Sequence, residues 1–172
     1  PPPPPPPTTL LSSAASDVYK RQALAWAGMA WGWRRRAGRQ SDLAAPSEPP
    51  PVPGDVLATA EGLYVGSVMQ GAWLDRVVPY QLGARASADV TVHTDGLLLE
   101  RDGAQPVWTA RADLISVRRD TGLAGKVTET GGLVVWTWRL GDQVLESGLR
   151  PRYTAQISAL MSSLESLTQE AA

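Results

Sequence analysis

Hydrophobic and polar positions change their period twice along this chain. From Ala23 to Trp33 there is no period, because Ala, Leu, Gly, Met and Trp fill every position before Arg34, Arg35 and Arg36. From residue 55 onward the period becomes two. In Leu133–Leu140 one face carries Val134, Trp136, Trp138 and Leu140, while the other carries Leu133, Val135, Thr137 and Arg139. Alternation with β-branched and aromatic residues predicts a half-buried strand. Ala88–His93 alternates likewise, with Val90 and Val92 inward. Further strands are expected at Leu63–Val68, Leu97–Glu100, Pro106–Ala110, Leu114–Arg118 and Val144–Leu149. Asp95-Gly96, Asp102-Gly103, Gly131-Gly132 and Gly141-Asp142 are the expected turns, since these residues tolerate positive φ.

The last change is to steps of three and four. Tyr153, Ile157, Leu160, Met161, Leu164 and Leu167 make one stripe of an amphipathic helix over Tyr153–Thr168. Pro151 precedes it, where a missing N–H does no harm. The outline is mainly β: about seven antiparallel strands in a pleckstrin-homology-like (PH-like) barrel, its open end capped by the C-terminal amphipathic helix. Strand order does not follow from the pattern.

The apolar run Ala23–Trp33 spans only about 16 Å as a helix, whereas a bilayer core of about 30 Å needs about 20 residues. It has no polar face, unlike a core-facing helix. Trp31 and Trp33 sit at its charged end as membrane-interface aromatics do, and Arg34, Arg35, Arg36 and Arg39 follow with no acid before Asp42. That is the positive-inside signature. A signal peptide carries its charges before the apolar run, not after it. An interfacial helix and a buried core helix also compete for this segment. Residues 23–39 are predicted to be the second half of a transmembrane helix and its basic flank. The C-terminal portion is then placed in the cytoplasm. Residues 40–54 hold five prolines in fifteen positions, which favours a stiff extended linker of up to about 45 Å.

Residues 1–22 are set apart. Pro1–Pro7 favours polyproline II and resembles a PxxP ligand. Ser16-Asp17-Val18-Tyr19-Lys20-Arg21-Gln22 resembles translated sequencing-adapter DNA that recurs in unrelated chains. The segment is treated as non-native low-complexity sequence and left out of fold reasoning, so the anchor is expected to begin in mid-element.

Charge sharpens the division. Residues 1–54 carry six basic and three acidic groups, and residues 55–172 carry ten and fourteen. A mildly acidic domain argues against nucleic-acid binding. With no cysteine, disulfides, thiolate metal sites and cysteine nucleophiles are excluded. The absence of phenylalanine, and fourteen arginines against two lysines, fit a GC-rich coding sequence.

A series of short words resembles a known family. In order they are Tyr64-Val65-Gly66-Ser67, Asp75-Arg76-Val77, Leu82-Gly83-Ala84-Arg85, Asp95-Gly96-Leu97, Arg118–Val127 with Gly122-Leu123-Ala124-Gly125-Lys126 at its centre, Gly132–Trp138 and Ser147-Gly148-Leu149-Arg150. The set is similar to small bacterial single-pass membrane proteins with a cytosolic PH-like domain, often labelled membrane, export or transporter proteins. The resemblance covers residues 23–168, except that the full anchor is absent. It implies a fold and a location and carries no reaction.

Candidate chemistry is sparse. His93 is the only histidine; it is expected on the surface, opposite Val90 and Val92, with no second metal ligand. It also has no Gly-x-Ser-x-Gly nucleophile to serve. Asp113 with Asp120, or Asp95 with Glu100, would be the carboxylate pairs, but nothing sets either pair around a cleft. The Gly122–Lys126 stretch lacks the first glycine and the hydroxyl of a phosphate loop. Arg118, Arg119 and Lys126 flank that turn and are the candidate contacts for an anion, a lipid headgroup or a partner. Trp136 and Trp138 are expected in the core, Trp73 and Trp108 in the core or a contact patch.

The resulting reading is a non-catalytic interaction or scaffold module, residues 55–172, held at the cytoplasmic face of the cell membrane. Lipid-headgroup binding, or service in a transport or export complex, is the alternative. No cofactor, metal, nucleic acid or small-molecule substrate is expected. The protein partner is unknown.

Overall fold

The computed structural model describes residues 19–24, 26–29, 43–72, 74–123, 126–127 and 132–169. Two compact units divide the chain, Pro1–Ser41 and Asp42–Ala172. In the first, residues 19–24 and 26–29 are helical and exposed. No helix among the described residues is long and apolar enough to cross a membrane. Trp31, Trp33, Arg34, Arg35 and Arg36, which carry the anchor expectation, lie outside the described residues.

The second unit is a seven-stranded antiparallel sheet in the order β4-β3-β2-β1-β9-β8-β5. Its strands are β1 (Val56–Met69), β2 (Ala86–His93), β3 (Gly96–Arg101), β4 (Val107–Ala110), β5 (Leu114–Asp120), β8 (Leu133–Leu140) and β9 (Gln143–Pro151). The short strands β6 (Gly122–Leu123) and β7 (Lys126–Val127) pair separately. The C-terminal helix is Thr154–Gln169. Every expected strand is present, six with bounds within two residues of those expected, while β1 begins at Val56 rather than Leu63.

The sheet folds round a single core. Val107 from one outer strand and Leu114 from the other share that core with Val90, Leu99, Trp136, Trp138 and Leu149. The helix adds Ile157, Leu160, Leu164 and Leu167, all buried. Tyr153, expected on this stripe, is exposed and lies before the helix, and Pro151 ends β9.

β1 makes the fold-over possible because it serves both halves of the sheet. Val56–Tyr64 pairs with β2 and Gly62–Met69 with β9, with a register shift between Tyr64 and Gly66. Gly66 has φ +131°, and a Cβ there would lie 3.1 Å from the Gly83 carbonyl oxygen. Glycine meets both demands. The extra residue reverses the inward parity: Ala58, Ala60 and Tyr64 face the core before it, Ser67 and Met69 after it. Bulges bend and twist a strand in this way.

The reversal brings hydroxyls into the interior, where they must bond to one another. Trp138 Nε1–H donates to Ser147 Oγ at 2.8 Å, Ser147 Oγ lies 2.5 Å from Ser67 Oγ, and Ser67 Oγ lies 2.6 Å from Tyr64 Oη. Tyr64 Oη–H donates to the Leu82 carbonyl at 2.8 Å. The indole can only donate and the carbonyl can only accept, so the protons run one way: Trp138 to Ser147 to Ser67 to Tyr64 to Leu82.

Four sequence expectations change. First, β8 is buried on both faces rather than one. Leu133 and Val135 join Val65, Val68 and Leu123 in a second cluster, covered by the β6 residue Leu123. Second, the β2–β3 turn is Thr94-Asp95, since Gly96 already pairs with His93. Gly96 is needed instead for close approach, because a Cβ would sit 2.6 Å from the Trp108 ring.

Third, the proline-rich stretch is no free linker. Residues 43–50 lie on the domain: Leu43 is buried in the main core, and the Ser47 carbonyl accepts the Trp108 N–H at 3.0 Å. Proline cannot donate to a ladder, but an extended chain can still offer carbonyls to an edge strand. Fourth, His93 is 7% exposed. Its Nδ1 is 2.7 Å from the Gly54 carbonyl and its ring packs on Trp108. On the outward face of β2, Ser87 and Asp89 remain exposed, and only the end at His93 is covered, by Gly54 and Trp108.

Leu164→Ala is expected to lower the unfolding free energy by about 2–5 kcal/mol, read from urea denaturation. Tyr64 gives a pH-dependent test. Burial raises its pKa, against weaker opposing contributions from Ser67, Arg101, Ser147 and Arg76. An unfolded tyrosine ionises near pH 10, at about its free value. The stability Tyr64 contributes is therefore complete below that pH and lost as pH rises through the folded value. Tyr64→Phe is expected to cost about 1–3 kcal/mol at neutral pH. It should also flatten the alkaline limb of stability measured across about pH 8–11.

Candidate functional site

The sheet has two outer strands, and they differ. β4 is met by Ser47, which bridges to Trp108. β5 pairs with β8 on one side and, among the described residues, forms no ladder on the other. Alternate residues of β5 thus carry backbone donors and acceptors that no ladder among the described residues engages, beside the C-terminal helix. A register shift between Leu114 and Ser116 pushes Ile115 outward, 41% exposed. Val117 packs against the main core, and Arg119 donates to Ser158 Oγ on the helix at 3.1 Å. Such an edge offers main-chain pairing to an extended segment, with Ile115 as an apolar contact.

Arg118 lies on β5's opposite face and is committed to carboxylates. Its Nη1 and Nη2 donate to the two oxygens of Glu146 at 3.0 and 3.2 Å, and its Nε donates to Asp120 Oδ2 at 3.2 Å. This is the fork geometry that suits a guanidinium. Hydrogen bonding to Glu146 accordingly raises its pKa, partly offset by burial. Asp120 also accepts the N–H groups of Thr121 and Gly122. Burial pushes the Asp120 carboxyl up, but these donors together with Arg118 outweigh it, and its pKa is lowered. Of the three cations singled out from the sequence, Arg118 is thus neutralised and Arg119 is bonded to the helix. Lys126 belongs to β7, and its side chain lies outside the described residues.

The carboxylate pairs do not converge. Asp113 and Asp120 stand at opposite ends of β5, about 20 Å apart along the strand, and Asp95 and Glu100 are about 16 Å apart along β3. Asp95 accepts the Gly54 N–H at 2.9 Å. Trp108 is buried, and Trp73 lies outside the described residues.

One residue escaped the sequence reading. Arg101, 6% exposed, donates through Nη1 to the Gln81 carbonyl at 2.8 Å. Through Nη2 it donates to those of Tyr80 and Gln105 at 3.3 and 3.2 Å. Its guanidinium lies 5.5 Å from the Tyr64 ring centroid, and burial lowers its pKa against the opposing pull of Tyr64. Tyr80 and Gln81 both adopt positive φ, 54° and 57°, a costly conformation for side-chain-bearing residues. The signal was available: Leu97, Leu99 and Arg101 share the inward parity of β3.

A single antiparallel sheet folded round one core and closed by a C-terminal helix defines a PH-like domain. Residues 43–165 match the family model described as bacterial PH domain-like, and the chain belongs to that family. No curated protein matches it. Among solved structures it is similar to a chain of the 8S snRNP assembly intermediate, at 12% identity, with TM-score 0.47, over 74% of this chain and 90% of that one. It is also similar to Vav1 inhibited by an allosteric inhibitor and to the apo activated truncation of Vav1, at 15% and 14% identity and TM-score 0.42. Each of those matches covers 67% of this chain and 27% of the Vav1 chain.

A double-mutant cycle over Arg118→Ala and Glu146→Ala is expected to give a coupling of about 0.5–1.5 kcal/mol, modest because Arg118 is partly exposed. Denaturation of the four proteins measures it.

Proposed function

We propose that this protein is a membrane-tethered PH-like domain acting as a non-catalytic interaction module on the cytoplasmic side. Its docking rail is the free edge of β5, and its partner is a protein that contributes an extended segment. The open backbone row of β5 carries the proposal. An antiparallel edge accepts a further strand through main-chain hydrogen bonds, and alternate side chains supply selectivity. The opposite edge supports this reading, since β4 already takes an extended segment of the chain itself at Ser47.

The tether rests on the sequence from Ala23 to Arg36 and would raise the local concentration of membrane-bound partners. A transport or export assembly is a suitable setting for such a module. Binding of lipid headgroups by Arg118, Arg119 and Lys126 has less support, because Arg118 is paired with Glu146 and Asp120.

A photoreactive amino acid at position 115 of the protein, expressed from its own genomic locus, is expected to give a discrete protein adduct in the carbonate-washed membrane fraction. The same probe at exposed Val56 should give none. Adducts at both positions, or at neither, would remove the β5 edge as the docking rail. Release of the chain by carbonate would remove the tether.

A further inference from the structure

A groove of about 610 Å³ runs between the segment 45–48 and the body of the domain. Ala45 and Pro46 form one wall, Val78 and Val107 the other, and Arg101 lines it. Glu48 and Gln105 also line the groove. The volume falls within the range of small-molecule sites, about 300–1,000 Å³.

Arg101 is unusual among the buried groups of the domain. A guanidinium carries five N–H groups, and Arg101 makes three hydrogen bonds, all to main-chain carbonyls. Its Nε is buried without an acceptor. No carboxylate among the described residues pairs with it. A buried cation normally has a counter-charge, and Arg118 shows that this chain supplies one elsewhere. Beside this unbalanced charge, Tyr80 and Gln81 hold strained backbone angles, and such strain gathers at ligand clamps.

We propose that the groove binds a small monocarboxylic acid with an apolar body, its carboxylate on Arg101 and its hydrocarbon between Pro46, Val78 and Val107. Each part of the ligand follows from the walls. Arg101 supplies a positive charge that no carboxylate among the described residues balances, and the flanking side chains suit hydrocarbon. Glu48 disfavours a second negative charge, so a monoanion fits better than a phosphate ester. This site is independent of the β5 edge.

The test uses residues 42–172, which contain every core residue of the domain. Decanoate and, separately, 1-decanol are titrated while the amide resonances of Tyr80, Gln105 and Val107 are followed. Decanoate is expected to shift these resonances and to bind at least about tenfold more tightly than the alcohol. Arg101→Gln should abolish that preference. Because Arg101 also holds the turn at residues 79–81, Ala45→Trp serves as a second variant. It fills the groove from the exposed segment and should keep the circular dichroism of the parent while losing decanoate binding. Equal affinity for acid and alcohol, no response to decanoate, or undiminished binding by Ala45→Trp would each overturn the assignment.

Discussion

The structure depends on one extra residue in β1. The bulge at Val65-Gly66 lets a single strand pair with β2 along one half and with β9 along the other, so the sheet turns back on itself. That same residue puts Ser67 into the interior, where a lone hydroxyl would be costly. The cost is met by the one-way chain from Trp138 to the Leu82 carbonyl, every member of which is buried. Chain and bulge are therefore inseparable. Without the chain, the bent strand would leave polar groups unsatisfied; without the bend, the groups would never meet.

The pieces outside the main sheet then finish what the fold-over leaves open. The helix supplies four buried aliphatic side chains, Leu123 covers the back of β8, and residues 43–54 cover His93 and Trp108. The last of these covers also leaves a cavity beside it. The groove beside Arg101 exists because Ala45 and Pro46 face the domain across a gap. Among the described residues no strand pairs with the outer side of β5, although the C-terminal helix lies beside it.

Local pattern made much of this legible. Alternation and the spacing of turns located part of every strand of the sheet, β1 only from Leu63 onward, and the three-and-four spacing located the helix, because side-chain period follows directly from backbone geometry. What escaped was non-local. Nothing in five prolines announces that Leu43 reaches a core or that the Ser47 carbonyl reaches β4. His93 was placed outside correctly by parity and yet is buried, because its cover comes from about forty residues away in sequence. The Arg118–Glu146 pair reaches across β8 from β5 to β9, so it could not be inferred before strand order was known. Arg101 was visible as a charge on an inward face; the missing element was the turn at Tyr80 that receives it.

An asymmetry between the two margins of the sheet governs how copies of this molecule can meet. Exposed margins on both sides would let identical subunits add end to end without limit, the geometry of fibres. Here one margin is closed by the chain's own residues around Ser47. Association of two copies through the other would join like surfaces about a twofold axis. A short proline-rich stretch thereby obstructs strand addition at the β4 margin.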